Sequence, residues 1–277
     1  MKHALNLILV IIATVVYASV RWYDNLPIVN WITSTQYNRP FVYRQLVPFL
    51  ARGLSEFVRI DFALIFIVTL AGVGLYVAIY KLGKHFGIHN ELWALLVTLS
   101  GLILFGDYRA SYDVMTACLW AWALLFMFQH DHKKYTLLFP ILCFNRIETS
   151  IFLIILWAIF YPREIVFLLY QITVFVSMYL VLHLTFAENT GASAWVEPLE
   201  NLQRFIHNPL LTMFHIYIFV LLMYVALRNW NKKDGRLRLA FVLLVPIFLG
   251  LYFVFGQAFE IRVFWEVVPV VGAMLYG

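Results

Sequence analysis

Charge is scarce in this chain. Asp, Glu, Lys and Arg make up 13% of its 277 residues, about half the share of a soluble domain. A surface that poor in charge excludes an ordinary water-soluble domain. Cysteine is nearly absent too. Cys118 and Cys143 both fall in apolar segments, which excludes a disulfide framework and makes them small buried hydrophobes. There is no P-loop, dinucleotide fingerprint, GxSxG elbow or HExxH helix. A soluble nucleotide substrate on the cytoplasmic face therefore has no motif to hold it. Linkers, low-complexity tracts and clear internal repeats are also missing, so residues 1–277 read as one transmembrane domain.

What is there is hydrocarbon. Hydrophobic residues make up 63% of the chain, and the mean hydropathy is +0.83. Apolar runs near membrane-spanning length recur along it: Ala4–Val20, Phe62–Tyr80, Leu92–Phe105, Val114–Phe128, Ile165–Phe186, Leu210–Leu227, Leu239–Phe255 and Val263–Tyr276. Two shorter runs, Tyr135–Phe144 and Ser150–Phe160, are split by NRIET. Each is too short for an untilted crossing, which takes about 20 residues. They read as two short helices or as a re-entrant pair. The expectation is an all-α polytopic integral membrane protein of about ten transmembrane helices. The first run resembles a signal peptide in length, but no small-x-small cleavage site follows it, so it counts as a helix.

Between the first two runs lies Arg21–Arg59. It holds Asp24 and five arginines (21, 39, 44, 52 and 59) but no lysine. Its second half has helical periodicity. Gln45, Arg52, Glu56 and Arg59 share one face, and Leu46, Leu50, Leu54 and Phe57 share the other. Pro48 sits near the start, where proline is tolerated. Such a helix lies flat in the membrane interface.

With the N-terminus in the cytoplasm, all seven lysines fall inside: 2, 81, 84, 133, 134, 232 and 233. Four arginines join them and nine do not, so the Lys+Arg count is 11 inside against 9 outside. The positive-inside rule counts both types, and the lysine split carries the orientation. Arginine differs from lysine in offering a planar fork that grips phosphate or carboxylate in two places. Arginines gathered on one face suggest an anionic ligand there, against the plainer reading of side chains snorkelling to lipid phosphates.

That outer face collects most of the unusual polar residues: Asp24, Arg39 and Arg44; Asp107, Arg109 and Asp113; Arg146 and Glu148; Glu197, Glu200 and Arg204; Glu260 and Arg262. Charges at membrane depth are costly and usually functional. Asp24, just past the first segment, suits a general base or a divalent-metal ligand; the plain alternative is a boundary acid capping a turn with Asn25 and Pro27. Arg109 and Asp113 are one helical turn apart and suit a direct pair. Arg146 and Glu148 are two apart and cannot face each other on a straight helix. They read either as a phosphate-binding arginine with an orienting acid or as structural ions in a turn. His130-Asp131-His132 offers only three adjacent residues in a lysine-bearing loop, which reads as a solvated turn rather than a metal site. His85 and His89 are four apart, but Gly83 and Gly87 argue against a firm helix there. His183 and His215 read as buried polar groups.

The early acid in RWYDN, the interfacial LVPFLARGLSEF and the short helices that follow resemble the GT-C superfamily of polytopic membrane glycosyltransferases. YRQLVPFLA and FNRIETSIFL resemble elements of bacterial membrane proteins of that layout. The resemblance implies a GT-C-like fold in a bacterial plasma membrane. It implies glycosyl transfer, on the extracytoplasmic face, from a polyprenyl-phosphate-linked sugar to a glycan, lipid or protein acceptor. Partners are then the bilayer and the lipid-linked sugar, with no nucleic acid. Asp24 takes the role of catalytic base or metal ligand, with Glu148, Asp113 or Glu197 as a second acid. Arg39, Arg44 and Arg146 hold the phosphate, with Arg109 and Arg262 as further candidates. Whether a divalent metal is the cofactor stays open. Two other readings use the same arginines: a transporter or flippase of an anionic lipid-linked substrate, and a glycan polymerase or ligase. A structural subunit of a larger complex is a further one.

Overall fold

The computed structural model describes residues 2–22, 44–104, 112–189, 198–255 and 266–275. All regular structure among them is helical. In chain order the helices are α1 (Lys2–Trp22), α2 (Leu46–Leu54), α3 (Ile60–His85), α4 (Glu91–Leu104), α5 (Tyr112–Phe128), α6 (His132–Asn145), α7 (Ile147–Phe160), α8 (Ile165–Thr185), α9 (Pro198–His207), α10 (Pro209–Leu227), α11 (Gly235–Phe255) and α12 (Val268–Leu275), with a 3-10 turn at Trp230–Lys232 before α11.

Three helices among the described residues are long and apolar enough to cross a membrane: Ile60–His85, Ile165–Thr185 and Gly235–Tyr252. Four further apolar stretches, His3–Ser19, Glu91–Leu102, Asp113–Phe128 and Ile147–Phe160, are shorter. The described helices thus give three full-length candidates where the sequence predicts about ten crossings. Exposed apolar stripes suit a hydrocarbon surrounding. Phe62, Phe66 and Leu70 line one face of α3, and Val166, Leu169, Val176, Leu180 and Leu184 stand out from α8. Water-soluble monomers rarely expose contiguous apolar surface of this kind.

The centre of the bundle is α3, with α1, α2, α4 and α5 packed against it. The approach is close. A Cβ on Gly72 would collide with the Thr14 side chain, and one on Gly83 would lie 2.5 Å from the Trp93 ring. Past the end of α3, Gly87 takes φ +80°, the left-handed conformation that glycine adopts without strain. Ile88 N then donates back to Gly83 O at 2.8 Å. This places His89 outside the helix that carries His85.

NRIET separates two antiparallel helices. Tyr135, in the first turn of α6, lies with its ring centroid 4.6 Å from that of Trp157, in the last turn of α7. A continuous helix would hold these residues about 33 Å apart. The chain reverses at Arg146, whose backbone is extended (φ −156°, ψ 89°). α5 runs antiparallel to α6, and the three helices span the same slab. At about 1.5 Å per residue the fourteen-residue α6 and α7 are each about 21 Å long.

Four sequence expectations are corrected. The amphipathic helix of the first loop stops at Leu54. Glu56, Phe57 and Arg59 therefore lie beyond it rather than on its faces, and Gln45 is buried. The polar stretch Glu188–Pro209 contains a helix, α9. Within the closing apolar run the described helix has only eight residues, about 12 Å, too short to cross. Finally, the acid in that run, Glu266, is fully buried instead of being part of a plain hydrocarbon segment.

The bundle has two chemically distinct ends. Lys81 lies over the Trp122 ring and Lys134 over Phe126, and Arg236 donates to Phe128 O at 3.0 Å. The end of α3, the α5–α6 turn and the start of α11, with Lys232 and Lys233 beside it, therefore share one end. The starts of α5 and α7 and the end of α6 form the other.

Candidate functional site: a buried arginine–carboxylate network

The end opposite the lysines holds Arg44, Asp113, Arg146, Glu148 and Glu266. Each is positioned by a helix terminus. Asp113 lies in the first turn of α5, and Glu148 in the first turn of α7, where a carboxylate complements the helix dipole. Arg146 fills the break between α6 and α7. Its N–H bonds to Leu142 O at 2.8 Å, and its carbonyl accepts from Ser150 Oγ at 2.8 Å, so the break leaves neither backbone group unpaired. Arg44 stands just before α2, where Gln45 N donates to Phe144 O at 3.2 Å. That bond staples the entrance of α2 to the end of α6. Nearby, Asn145 Nδ2 donates to Thr116 Oγ1 at 2.8 Å, locking α6 to α5.

Asp113 bridges the two arginines. Its Oδ1 lies 3.2 Å from Arg146 Nη1 and 3.9 Å from Arg44 Nη1. Arg146 Nη1 also lies 2.9 Å from Glu266 Oε1, yet that oxygen makes no aligned hydrogen bond. We read this as a close charge contact off the hydrogen-bond axis. Arg44 Nε lies 3.6 Å from Glu148 Oε1. Arg146 and Glu148 thus turn to different partners, as their two-residue spacing requires.

Four of the five side chains are nearly withdrawn from solvent: exposure is 10% for Arg44, 1% for Asp113, 9% for Arg146 and 0% for Glu266. Glu148, at 33%, is the one that reaches outward. Two guanidiniums face three carboxylates, a formal balance of one negative charge. Asp113 Oδ2 and Glu266 Oε2 accept no hydrogen bond among the described residues. Unsatisfied buried carboxylate oxygens are expensive, and this network is held together at a cost rather than for stability alone.

Of the residues singled out from the sequence, the structure brings Arg44, Asp113, Arg146 and Glu148 together. Asp24, Arg39, Arg109 and Arg262 lie outside the described residues, as do Asp107, Glu197 and Glu260 and with them the Arg109–Asp113 pairing. Arg204 lies on α9, outside this network. Glu266 was missed by sequence reasoning. Its signal was there, a lone acid in FWEVVPVVGAML, and a charge in such a run is functional by default. Metal-ligand spacing does not occur in the network. Among the described residues, the only group of three at that spacing is His130, His132 and Glu164, at the other end. His183 stacks on Tyr179 in α8, with ring centroids 5.7 Å apart.

No family model, curated protein or solved structure matches this chain.

Proposed function

We propose that the chain is a polytopic membrane glycosyltransferase of GT-C-like layout with about ten crossings and its N-terminus in the cytoplasm. In this reading it uses a polyprenyl-phosphate-linked sugar on the extracytoplasmic face. The short helices α4 to α7 serve as crossings in a locally thinned slab. One observation carries the reading. Arg44, Asp113, Arg146 and Glu148, drawn from three segments of a charge-poor chain, converge at one end of the bundle, with Glu148 turned toward solvent.

The reading assigns these residues the following roles. A phosphate entering beside Glu148 meets the Arg44 guanidinium, which lies 3.6 Å from that carboxylate and 3.9 Å from Asp113. Arg146, braced by Asp113 and Glu266, keeps its charge fixed behind Arg44. The sugar C1–O bond to phosphate breaks, and the phosphate leaves with the electron pair against the arginines. The acceptor oxygen bonds to C1 and gives its proton to a carboxylate, Asp24 or Glu148.

The test is binding of a short-chain polyprenyl phosphate to the purified protein, followed by native mass spectrometry, with turnover of the matching lipid-linked sugar. Arg44→Ala is expected to weaken binding about 10- to 100-fold, the usual loss of a charged hydrogen-bond partner. Absence of saturable binding, or unchanged binding by Arg44→Ala, overturns the reading.

A further inference from the structure

The lysine end of the bundle carries a second cluster that the transferase reading does not use. The α5–α6 turn presents His130 and His132, and the α7–α8 turn presents Glu164. His130 Nε2 lies 2.5 Å from Glu164 Oε1, and His132 Nε2 lies 3.4 Å from the same oxygen. The three ligand atoms all fall within 4.8 Å of one another. We propose that His130, His132 and Glu164 bind one divalent transition-metal ion of the zinc class, clamping the two turns together.

The ligand set fits the ion. Two imidazoles and one carboxylate make up a three-ligand zinc site that leaves a coordination position to water. With metal–ligand distances of about 2.0–2.1 Å, the edges of a tetrahedral site are about 3.3–3.4 Å. The His132–Glu164 separation of 3.4 Å already has that length, and the 2.5 Å His130–Glu164 contact opens by just under 1 Å to admit the ion. The two imidazole rings lie 4.4 Å apart by their centroids, and a nitrogen of each converges on the same carboxylate oxygen.

The surroundings support the same ligand. Trp157 Nε1 donates to Glu164 Oε2 at 3.0 Å, which holds the carboxylate still and leaves Oε1 for the ion; this is the usual second-layer arrangement of metal sites. Tyr161 stacks on His130, with centroids 4.3 Å apart, and Phe167 closes edge-on against His132. Two nearby cations are turned elsewhere. Lys134 is bound to Asp131 at 2.5 Å, and Arg236 is bound to Phe128 O. The two histidines stay 47% and 39% exposed, so an ion reaches the site from water. His130 adopts φ +59°, and this kink brings both rings of an i, i+2 pair onto Glu164.

The experiment uses tag-free, full-length protein in detergent, stripped with chelator and titrated with zinc chloride against a chromophoric competitor. The expected result is one zinc per chain and a rise in unfolding temperature. Cobalt(II) substituted for zinc should give the visible absorption of a tetrahedral nitrogen–oxygen site. Glu164→Gln keeps the acceptor for Trp157 and should weaken zinc binding at least about a hundredfold. His132→Ala should do the same, while His89→Ala, in the α3–α4 turn, should bind as the parent does. No saturable binding, or binding that survives Glu164→Gln and His132→Ala, overturns the proposal. Because the readout is metal alone, the outcome is independent of whether the chain transfers sugars.

Discussion

The two ends of the α5–α6–α7 unit use the same kinds of ions at different depths. At the Arg146 end the charges are buried and shared: Asp113 serves two arginines, Arg146 serves two acids, and only Glu148 reaches water. At the His130 end the charges are wet. Lys134, 60% exposed, pairs with Asp131 three residues away. Depth decides what each ion is worth. A buried ion has left its water and needs every neighbour it has, whereas an exposed pair is screened and individually dispensable. The buried end is therefore a unit; at the exposed end the Lys134–Asp131 pair stands by itself, while His130 and His132 share Glu164.

The sharpest way to break this comparison is Arg146→Ala. It strips the cation from Asp113 and Glu266, both almost wholly buried. Removing one partner of a buried pair costs about 3–5 kcal/mol. Thermal or denaturant unfolding in detergent should show that loss, and a change below about 1 kcal/mol would mean that the network is solvated and the contrast between the ends is false.

The next effect tests packing at the lysine end. A methyl at position 83 would lie 2.5 Å from the Trp93 ring. That ring is anchored, since Trp93 Nε1 donates to Gly272 O at 3.1 Å. Gly83→Ala should therefore destabilise by about 1–3 kcal/mol through overpacking, despite the helix-propensity gain of up to about 1 kcal/mol from replacing glycine. An increase in unfolding temperature would show that Trp93 yields freely.

Much of this contrast was legible before the structure. In a chain with 13% charged residues, Arg44, Asp113, Arg146 and Glu148 stood out by scarcity alone, and NRIET marked a break in an apolar stretch. The segregation of lysine was visible in a count. What stayed hidden depends on contacts between distant segments. Glu164 lies 32 residues past His132 and meets it only because α6 and α7 double back. Glu266 was absorbed into a hydrocarbon run because periodicity does not distinguish a short buried turn from a crossing. Helix α9 was hidden because its strongly two-sided sequence, PLENLQRFIH, is polar on average.

Glu266→Gln sharpens the account of the buried end. Two cations against three anions leave one carboxylate in excess, and Glu266 is fully buried with Oε2 unpaired among the described residues. The amide keeps the shape and an oxygen for Arg146 while removing the excess charge. Unfolding free energy should stay within about 1 kcal/mol of the parent, far less than the loss for Arg146→Ala. Equal losses in the two variants would mean that the network needs the full negative charge at position 266.

The smallest effect belongs to the exposed end and is read against pH. Asp131 caps α6, and its carboxyl is held below the ordinary aspartate range. The main cause is the hydrogen bond from the Lys134 ammonium, followed by the bond from the Lys134 backbone N–H. A depressed folded-state value means that the contribution to stability is present above the unfolded value, about pH 4, and is lost as pH falls through the folded value. Lys134→Ala removes the larger cause and leaves the backbone bond. It should lower the neutral-pH unfolding temperature only slightly, the pair being exposed, while moving the Asp131 carboxyl titration, followed by carbon NMR, upward toward its ordinary range. Asp131→Asn keeps the capping oxygen but should abolish that acid-side loss of stability. If Lys134→Ala instead lowers neutral-pH stability as much as Gly83→Ala, the exposed ions are coupled as tightly as the buried ones, and depth is not what separates the two ends.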